Sequence, residues 1–237
     1  QGEKVEKKII FISKVNGLDT VKELLPYKSK EYMPKWYKKI PSLFEGQKAF
    51  MPGGPVKRCP SYRDWFGSGF IVPNWCETIL TNDGENWEWT TSLNSFQWEI
   101  HDNRQYVDFL PKDAGVNAVY KAICPWKIVT PKGWSVMQLP LYYDYNNDWE
   151  VLPGIIHTDT HHEVNPQVAL MGDREKINIK AGAPFFRLVP FKRETLGLKI
   201  YGEGQAPKKL QKKLDERHIR LMTSFRGSYQ KNIKLEE

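Results

Sequence analysis

Between Phe70 and Leu139 the chain is divided by Pro, Gly, Asn and Asp into short runs rich in β-branched and aromatic residues. Runs of this length and composition are typical of strands. No long helical period separates them, which favours an antiparallel barrel or folded sandwich over parallel βαβ units. The sequence therefore predicts a mainly β fold, with strands at Phe70–Val72, Thr78–Leu80, Trp87–Trp89, Phe96–Ile100, Ala118–Ile123, Lys127–Thr130 and Trp134–Leu139.

Two of these runs are joined by a short polar connection. Trp87 and Trp89 fall on one side of their strand, because side chains alternate with period two, and Phe96 and Trp98 do the same in the next run. Ser92, Asn94 and Ser95 between them are of the turn-forming type. We expect the two runs to form a β-hairpin.

The regions outside these strands differ in composition. Residues 1–49 predict a basic arm containing a strand and short helices, and a Pro- and Gly-rich stretch from residue 50 opens a main β domain over 50–197. Residues 198–237 contain an amphipathic helix, since Leu210, Leu214, Leu221 and Phe225 share one helical stripe. Pro207 precedes that stripe, as is typical of a helix start.

The net charge of +7 is unevenly distributed. Residues 1–40 and 198–237 each hold ten basic and five acidic residues, a net charge of +5, whereas the middle holds 15 basic and 18 acidic residues, a net charge of −3. A nucleic-acid-binding domain concentrates its basic residues on one reading face, so we expect protein partners or self-association and no nucleic acid. No apolar run approaches the ~18 residues of a membrane helix, so no membrane partner is expected.

The three cysteines, Cys59, Cys76 and Cys124, are far apart and lack the CxxC spacing of zinc or redox sites. We expect reduced, buried thiols. No charged segment followed by an apolar one opens the chain, so we expect synthesis in the cytoplasm.

Three of the five histidines lie in the segment 157–163. If that segment is extended, His157 and Asp159 project from one face and can share a metal ion, with His101 supplying a third ligand. A divalent transition metal is the implied cofactor. The HxD pair also fits the two-histidine, one-carboxylate iron centre of 2-oxoglutarate-dependent oxygenases, with His218 and Arg226 in the order of the remaining ligand and the keto-acid anchor. Whether the chain is an enzyme is left open, because His218 lies in the predicted helix and not on a strand.

A second candidate site is aromatic. Trp134, Tyr142, Tyr143 and Trp149 lie near several carboxylates, a combination found in glycan sites. These four residues predict a glycan- or nucleotide-binding module as an alternative function.

The residues 152–159 (LPGIIHTD) and 177–190 (INIKAGAPFFRLVP) resemble the late motifs of the trimeric dUTPase and dCTP deaminase superfamily. The resemblance spans Cys59 to Arg193 and implies a β-clip fold, flanked here by the N-terminal arm and the C-terminal helix, and a homotrimer. The sequence departs from the family at the residues that carry out its reaction. His157 stands where the family has a water-activating acid, and residues 137–141 lack its Arg-Ser phosphate clamp. We therefore expect no nucleotide hydrolysis.

The sequence is also similar to an uncharacterised family frequent in bacteriophages of marine cyanobacteria. The similarity lies in Trp36-Tyr37 before Pro41, in residues 57–60 (KRCP), and in residues 125–131 (PWKIVTP). It implies no activity. Together the two resemblances lead us to expect a catalytically diverged, dUTPase-like phage protein that acts as a structural or assembly component, in the cytoplasm of an infected host cell or in the virion.

Overall fold

The computed structural model describes residues 7–48, 54–82, 86–111, 113–145, 148–172 and 175–223, with side chains described up to residue 219. It is mainly β, which confirms the predicted class. The strands are β1 (Ile10–Ser13), β2 (Tyr27–Lys28), β3 (Phe70–Pro73), β4 (Thr78–Asn82), β5 (Trp87–Thr91), β6 (Trp98–Ile100), β7 (Val116–Ala122), β8 (Trp126–Val129), β9 (Trp134–Leu139), β10 (Trp149–Val151), β11 (Gly154–Ile156), β12 (Gln167–Met171), β13 (Lys176–Ile179) and β14 (Pro184–Lys192). The α-helices are α1 (Lys35–Lys39), α2 (Pro60–Gly67) and α3 (Lys208–Thr223).

The strands described form four sheets in which neighbouring strands are antiparallel. The largest has the order β11-β9-β14-β3-β2, and β14 lies at its centre, between β9 and β3. The others have the orders β10-β12-β7-β6, β13-β4-β5 and β1-β8. Antiparallel pairing is the arrangement that the short, closely spaced runs predict.

The predicted hairpin between the two aromatic runs is wrong. β5 pairs with β4, whereas β6 pairs with β7 in a different sheet. The physical reason is burial, because Phe96 and Trp98 are only 3% and 2% exposed and enter the core beside β7. That burial separates β6 from β5.

The main core is built around Phe185 of β14, which is fully buried. Its ring centroid lies 5.6 Å from Trp75, 6.0 Å from Trp98 and 5.2 Å from Trp149. Tilted and edge-to-face contacts at these distances are the favourable geometries for aromatic rings. Strands of two sheets thus meet at one aromatic cluster.

The chain forms two compact units. The first comprises Gln1–Lys35 and Phe66–Arg193 and contains all the strands above, and the second comprises Trp36–Trp65 and Glu194–Glu237. In the second unit, the predicted C-terminal helix is present as α3, and Phe225 lies outside the described residues. The predicted three-part division at residues 49/50 and 197/198 stays a prediction. No helix in the described ranges is long and apolar enough to cross a membrane.

Candidate functional site

The segment after β11 turns and does not continue as a strand. The carbonyl oxygen of His157 accepts hydrogen bonds from the backbone N–H groups of Thr160 (3.0 Å) and His161 (2.8 Å). The segment is therefore not extended, and the condition for a shared face of His157 and Asp159 is not met. Thr158 holds the turn in place, because its hydroxyl is buried and lies 2.7 Å from the hydroxyl of Thr130.

The Asp159 carboxylate is bound on both oxygens. Arg193 Nη1 donates to Oδ1 at 2.7 Å and Arg193 Nη2 donates to Oδ2 at 2.5 Å, and the backbone N–H of Gly133 donates to Oδ2 at 2.9 Å. The hydrogen bonds from Arg193, followed by the one from Gly133, hold the pKa of Asp159 well below its ordinary value. The same ion pair raises the pKa of Arg193. Bidentate pairing of this kind fixes the guanidinium in position and orientation.

His157 belongs to the same network through Ser135. Its Nδ1 lies 2.8 Å from the Oγ of Ser135, and that Oγ accepts a hydrogen bond from Arg193 Nη1 at 2.9 Å. A serine hydroxyl carries one donor and two acceptor sites, so the Oγ of Ser135 can bond the guanidinium and the imidazole at the same time. His157, Ser135, Arg193 and Asp159 form one connected polar cluster, which we call the Arg193 network.

The residues predicted to bind a metal each have another polar partner in the structure. His101 lies just after β6, where its Nδ1 is 3.1 Å from Oε1 of Gln105, and Asp159 is bound to Arg193. Within the described residues, no group of three or more His, Cys, Asp or Glu side chains is placed to hold a metal ion. His218 is exposed on α3, and Arg226 lies outside the described residues. The metal site predicted at His157, Asp159 and His101 stays a prediction.

A polar cleft of about 550 Å³ lies beside this network. His157, His161, Gln138 and Asn165 contribute polar groups to its lining. Several of these groups already have partners, since the amide nitrogen of Gln138 donates to the carbonyl of Leu152 at 2.9 Å and Oδ1 of Asn165 accepts from the N–H of Cys124 at 3.0 Å. The two imidazoles and the second polar atom of each amide are thus the groups in this lining that suit a small polar ligand.

The four aromatic residues predicted to bind a ligand lie in different surroundings, and none of them lines this cleft. Trp149 packs on Phe185 in the core. Trp134 has the ammonium of Lys7 at 5.7 Å from its ring centroid. Tyr143 contacts Phe66 edge-to-face at 6.1 Å, and Tyr142 is 43% exposed in the same turn. The glycan or nucleotide site at these four residues stays a prediction.

A second feature, which was not predicted from the sequence, is an apolar segment that directly follows Arg193. Leu196, Leu198 and Ile200 are 86%, 88% and 81% exposed, more than the other large hydrophobic side chains described. We call residues 194–201 the apolar segment. The signal for it was present, because these residues alternate with Gly197 and Lys199 in the period-two pattern of a strand.

The fold and this site define a mainly β protein with antiparallel sheets, a polar network and an exposed apolar segment. No protein-family model matches the chain, and no curated protein matches it. Among solved structures, it is similar to a point mutant of the dUTPase from phage phi11 of S. aureus, with 9% identity and a TM-score of 0.33, over 68% of this chain and 95% of that one. A likeness at this level transfers neither an activity nor a site.

Proposed function

We propose that this protein is an assembly component that acts by binding protein surfaces through the apolar segment. The observation that carries the proposal is the exposure of Leu196, Leu198 and Ile200, each above 80%. Scattered exposed leucines are common, but three highly exposed aliphatic side chains within five residues of sequence are a concentration of apolar surface typical of an interaction site. Burying each against a partner contributes about 1.5–3 kcal/mol.

The Arg193 network supports the proposal because it anchors the start of the apolar segment. Arg193 is bound by the Asp159 carboxylate and by Ser135, and its backbone N–H donates to the carbonyl of Gly133 at 2.8 Å. The exposed residues begin three positions later. These hydrogen bonds fix the residue that directly precedes the apolar segment in the chain.

The specific form of the proposal is a phage structural or assembly component that has lost dUTPase-type hydrolysis. It is supported by the two sequence resemblances and by the position of His157, whose imidazole is hydrogen-bonded to Ser135 where the hydrolytic family has an acid. Self-association, with a trimer as the form implied by the dUTPase resemblance, belongs to this proposal.

The test uses a photo-reactive amino acid in place of Leu198, in the full chain, irradiated both as purified protein and in the cells that naturally contain it. We expect covalent adducts with a protein, either a second copy or another chain identified from its cross-linked peptides. The matched control carries the same group in place of Glu203, which is also exposed and lies just beyond the apolar segment. A lack of adducts from position 198 in both settings contradicts the proposal.

A second candidate is the binding of a small polar ligand, such as a nucleotide or an oligosaccharide, in the cleft. It is favoured by His157 and His161, which line the cleft together. A thermal-shift screen with both ligand classes tests it. Stabilisation by a ligand that is lost in His157→Ala supports the candidate, and no shift with either class refutes it.

A further inference from the structure

Strand β5 is an uncovered sheet edge. It is the last strand in the order β13-β4-β5, and within the described residues no strand pairs with its other side. Trp89 is opposite Leu80 of β4, which is fully buried, so the two side chains lie on the core-facing side of the sheet. Trp89 is nevertheless 37% exposed. The core-facing side of this sheet is therefore only partly covered at Trp89 of β5.

The apolar segment is assigned no secondary structure, but its sequence alternates as in a strand. The ammonium of Lys199 lies 5.2 Å from the ring centroid of Tyr201, a contact that an extended chain allows because residues two apart then share one side. In an extended chain, Leu196, Leu198 and Ile200 occupy the other side. All three side chains are more than 80% exposed.

We infer that the apolar segment of one copy adds as an antiparallel strand to the open edge of β5 in a second copy, with Leu198 opposite Trp89. This inference rests on the proposed assembly function and names its partner. The apolar row then extends the core-facing row of β5, so that Ile200 lies opposite Trp87 and Leu196 opposite Thr91. Main-chain hydrogen bonds supply affinity and the alternating side chains supply specificity, as in other cases of strand addition.

Charge fixes the register. In this alignment Lys199 lies opposite Glu88 on the outer side of the sheet, which gives an opposite-charge pair. A slip by one residue would turn the leucines to the outer side, and a slip by two in either direction would place Lys199 opposite Asn86 or Thr90. Only one register therefore combines apolar pairing with the Lys199–Glu88 pair.

Each chain carries both the donated segment and the receiving edge, which favours a second copy over an unrelated protein as the partner. Such an interface is heterologous, because the two surfaces that meet are different. Repetition of a heterologous contact gives a closed ring when the rotation closes and a filament when it does not. The inference therefore predicts an oligomer in which every copy both donates and receives a strand.

Disulfide trapping tests the register. A chain with Leu198→Cys is mixed with a mass-tagged chain with Trp89→Cys, both with Cys59→Ser to remove the partly exposed native thiol. Opposed residues in an antiparallel pair have Cα atoms about 4.5–5.5 Å apart, within the span of a disulfide. We expect a mixed disulfide at least several-fold more abundant than that formed with Ile155→Cys, an exposed residue on the edge strand β11.

A second pair keeps the test informative if Trp89→Cys does not fold. Gly197→Cys and Thr90→Cys are also opposed in the inferred register, and Thr90 is exposed. Mixed disulfides no more abundant than the Ile155→Cys control in the pair that folds overturn the inference.

Charge reversal gives an independent measurement. Glu88→Lys or Lys199→Glu alone should weaken association about twofold to fivefold, and the two together should restore it. No restoration in the double variant contradicts the register. If photo-adducts from position 198 form with a different protein while no disulfide forms with position 89, the self-pairing is wrong and the assembly function stands. If no adducts form at all, both are wrong.

Discussion

Replacing Gly69 by alanine should be among the most destabilising single-methyl changes in this chain. Gly69 precedes β3 with a φ of +75°, a conformation that costs an L-residue about 1–2 kcal/mol. A Cβ at this position would also lie 2.1 Å from the carbonyl oxygen of Leu188 and 3.1 Å from Cα of Val189, both in β14. These are backbone atoms, so no side-chain rotation relieves the clash.

The expected loss of stability follows from the backbone segments that must move apart. Relief of a 2.1 Å contact requires β3 to separate from β14 near the Phe70–Leu188 pair. Losing one or two ladder hydrogen bonds costs about 0.5–1.5 kcal/mol each, so with the φ strain the total loss is about 1.5–5 kcal/mol. The assay is urea unfolding of the full chain, monitored by tryptophan fluorescence. The free energies of unfolding are compared between variants for which the dependence on urea concentration has the same slope.

Gly17→Ala is the matched control. Gly17 has a φ of +79°, but nothing lies within 4 Å of the position its Cβ would take. It should therefore show the conformational cost alone, about 1–2 kcal/mol. If Gly69→Ala loses no more stability than Gly17→Ala, the close approach of β3 and β14 is not as described.

Three further changes test the core, the network and the thiols. Phe185→Ala should lower the free energy of unfolding by about 3–5 kcal/mol, measured by urea unfolding, because it removes the ring at the centre of the aromatic core. The lowered pKa of Asp159 means that its ion pair with Arg193 stabilises the folded chain above the ordinary aspartate pKa of about 3.9 and is lost as the pH falls below it, so Asp159→Asn should flatten the acid side of a stability–pH profile. In the native chain iodoacetamide should modify Cys59, whose pKa is lowered by backbone N–H groups, well before Cys124, whose pKa burial raises to about 12; equal rates on peptide mapping would contradict this.

Local sequence patterns were sufficient for the fold class and for several elements. The run Trp134–Leu139 is strand β9 with the predicted bounds, because its apolar and β-branched residues are flanked by Gly133 and Pro140. The leucines of α3 repeat with helical period, which predicts the helix without knowledge of its partners. Both signals are local, since each depends on residues within one or two turns of chain.

Strand partners and the polar network depend on contacts that no local pattern contains. β5 and β6 are joined by a turn-forming segment, yet burial of Phe96 and Trp98 places β6 beside β7. The ion pair between Asp159 and Arg193 joins residues 34 positions apart in the chain. Only the assembled sheets bring these groups together.

In the apolar segment, the sequence pattern and the structure disagree. Its alternating pattern is typical of a strand in a sheet, and strand-like alternation normally implies a buried face. The structure shows that Leu196, Leu198 and Ile200 are uncovered, and this conflict between pattern and exposure is the basis of the assembly proposal.

Sedimentation equilibrium of the purified full chain decides whether that segment drives assembly. We expect the native chain to associate at micromolar concentration, and the triple variant Leu196→Ser, Leu198→Ser, Ile200→Ser to sediment as a monomer. The control variant Phe109→Ser, Ile155→Ser removes two other exposed apolar side chains, 80% and 62% exposed, and should associate like the native chain. A native chain that is monomeric throughout, or a triple variant with the same mass as an associated native chain, would contradict self-assembly through this segment.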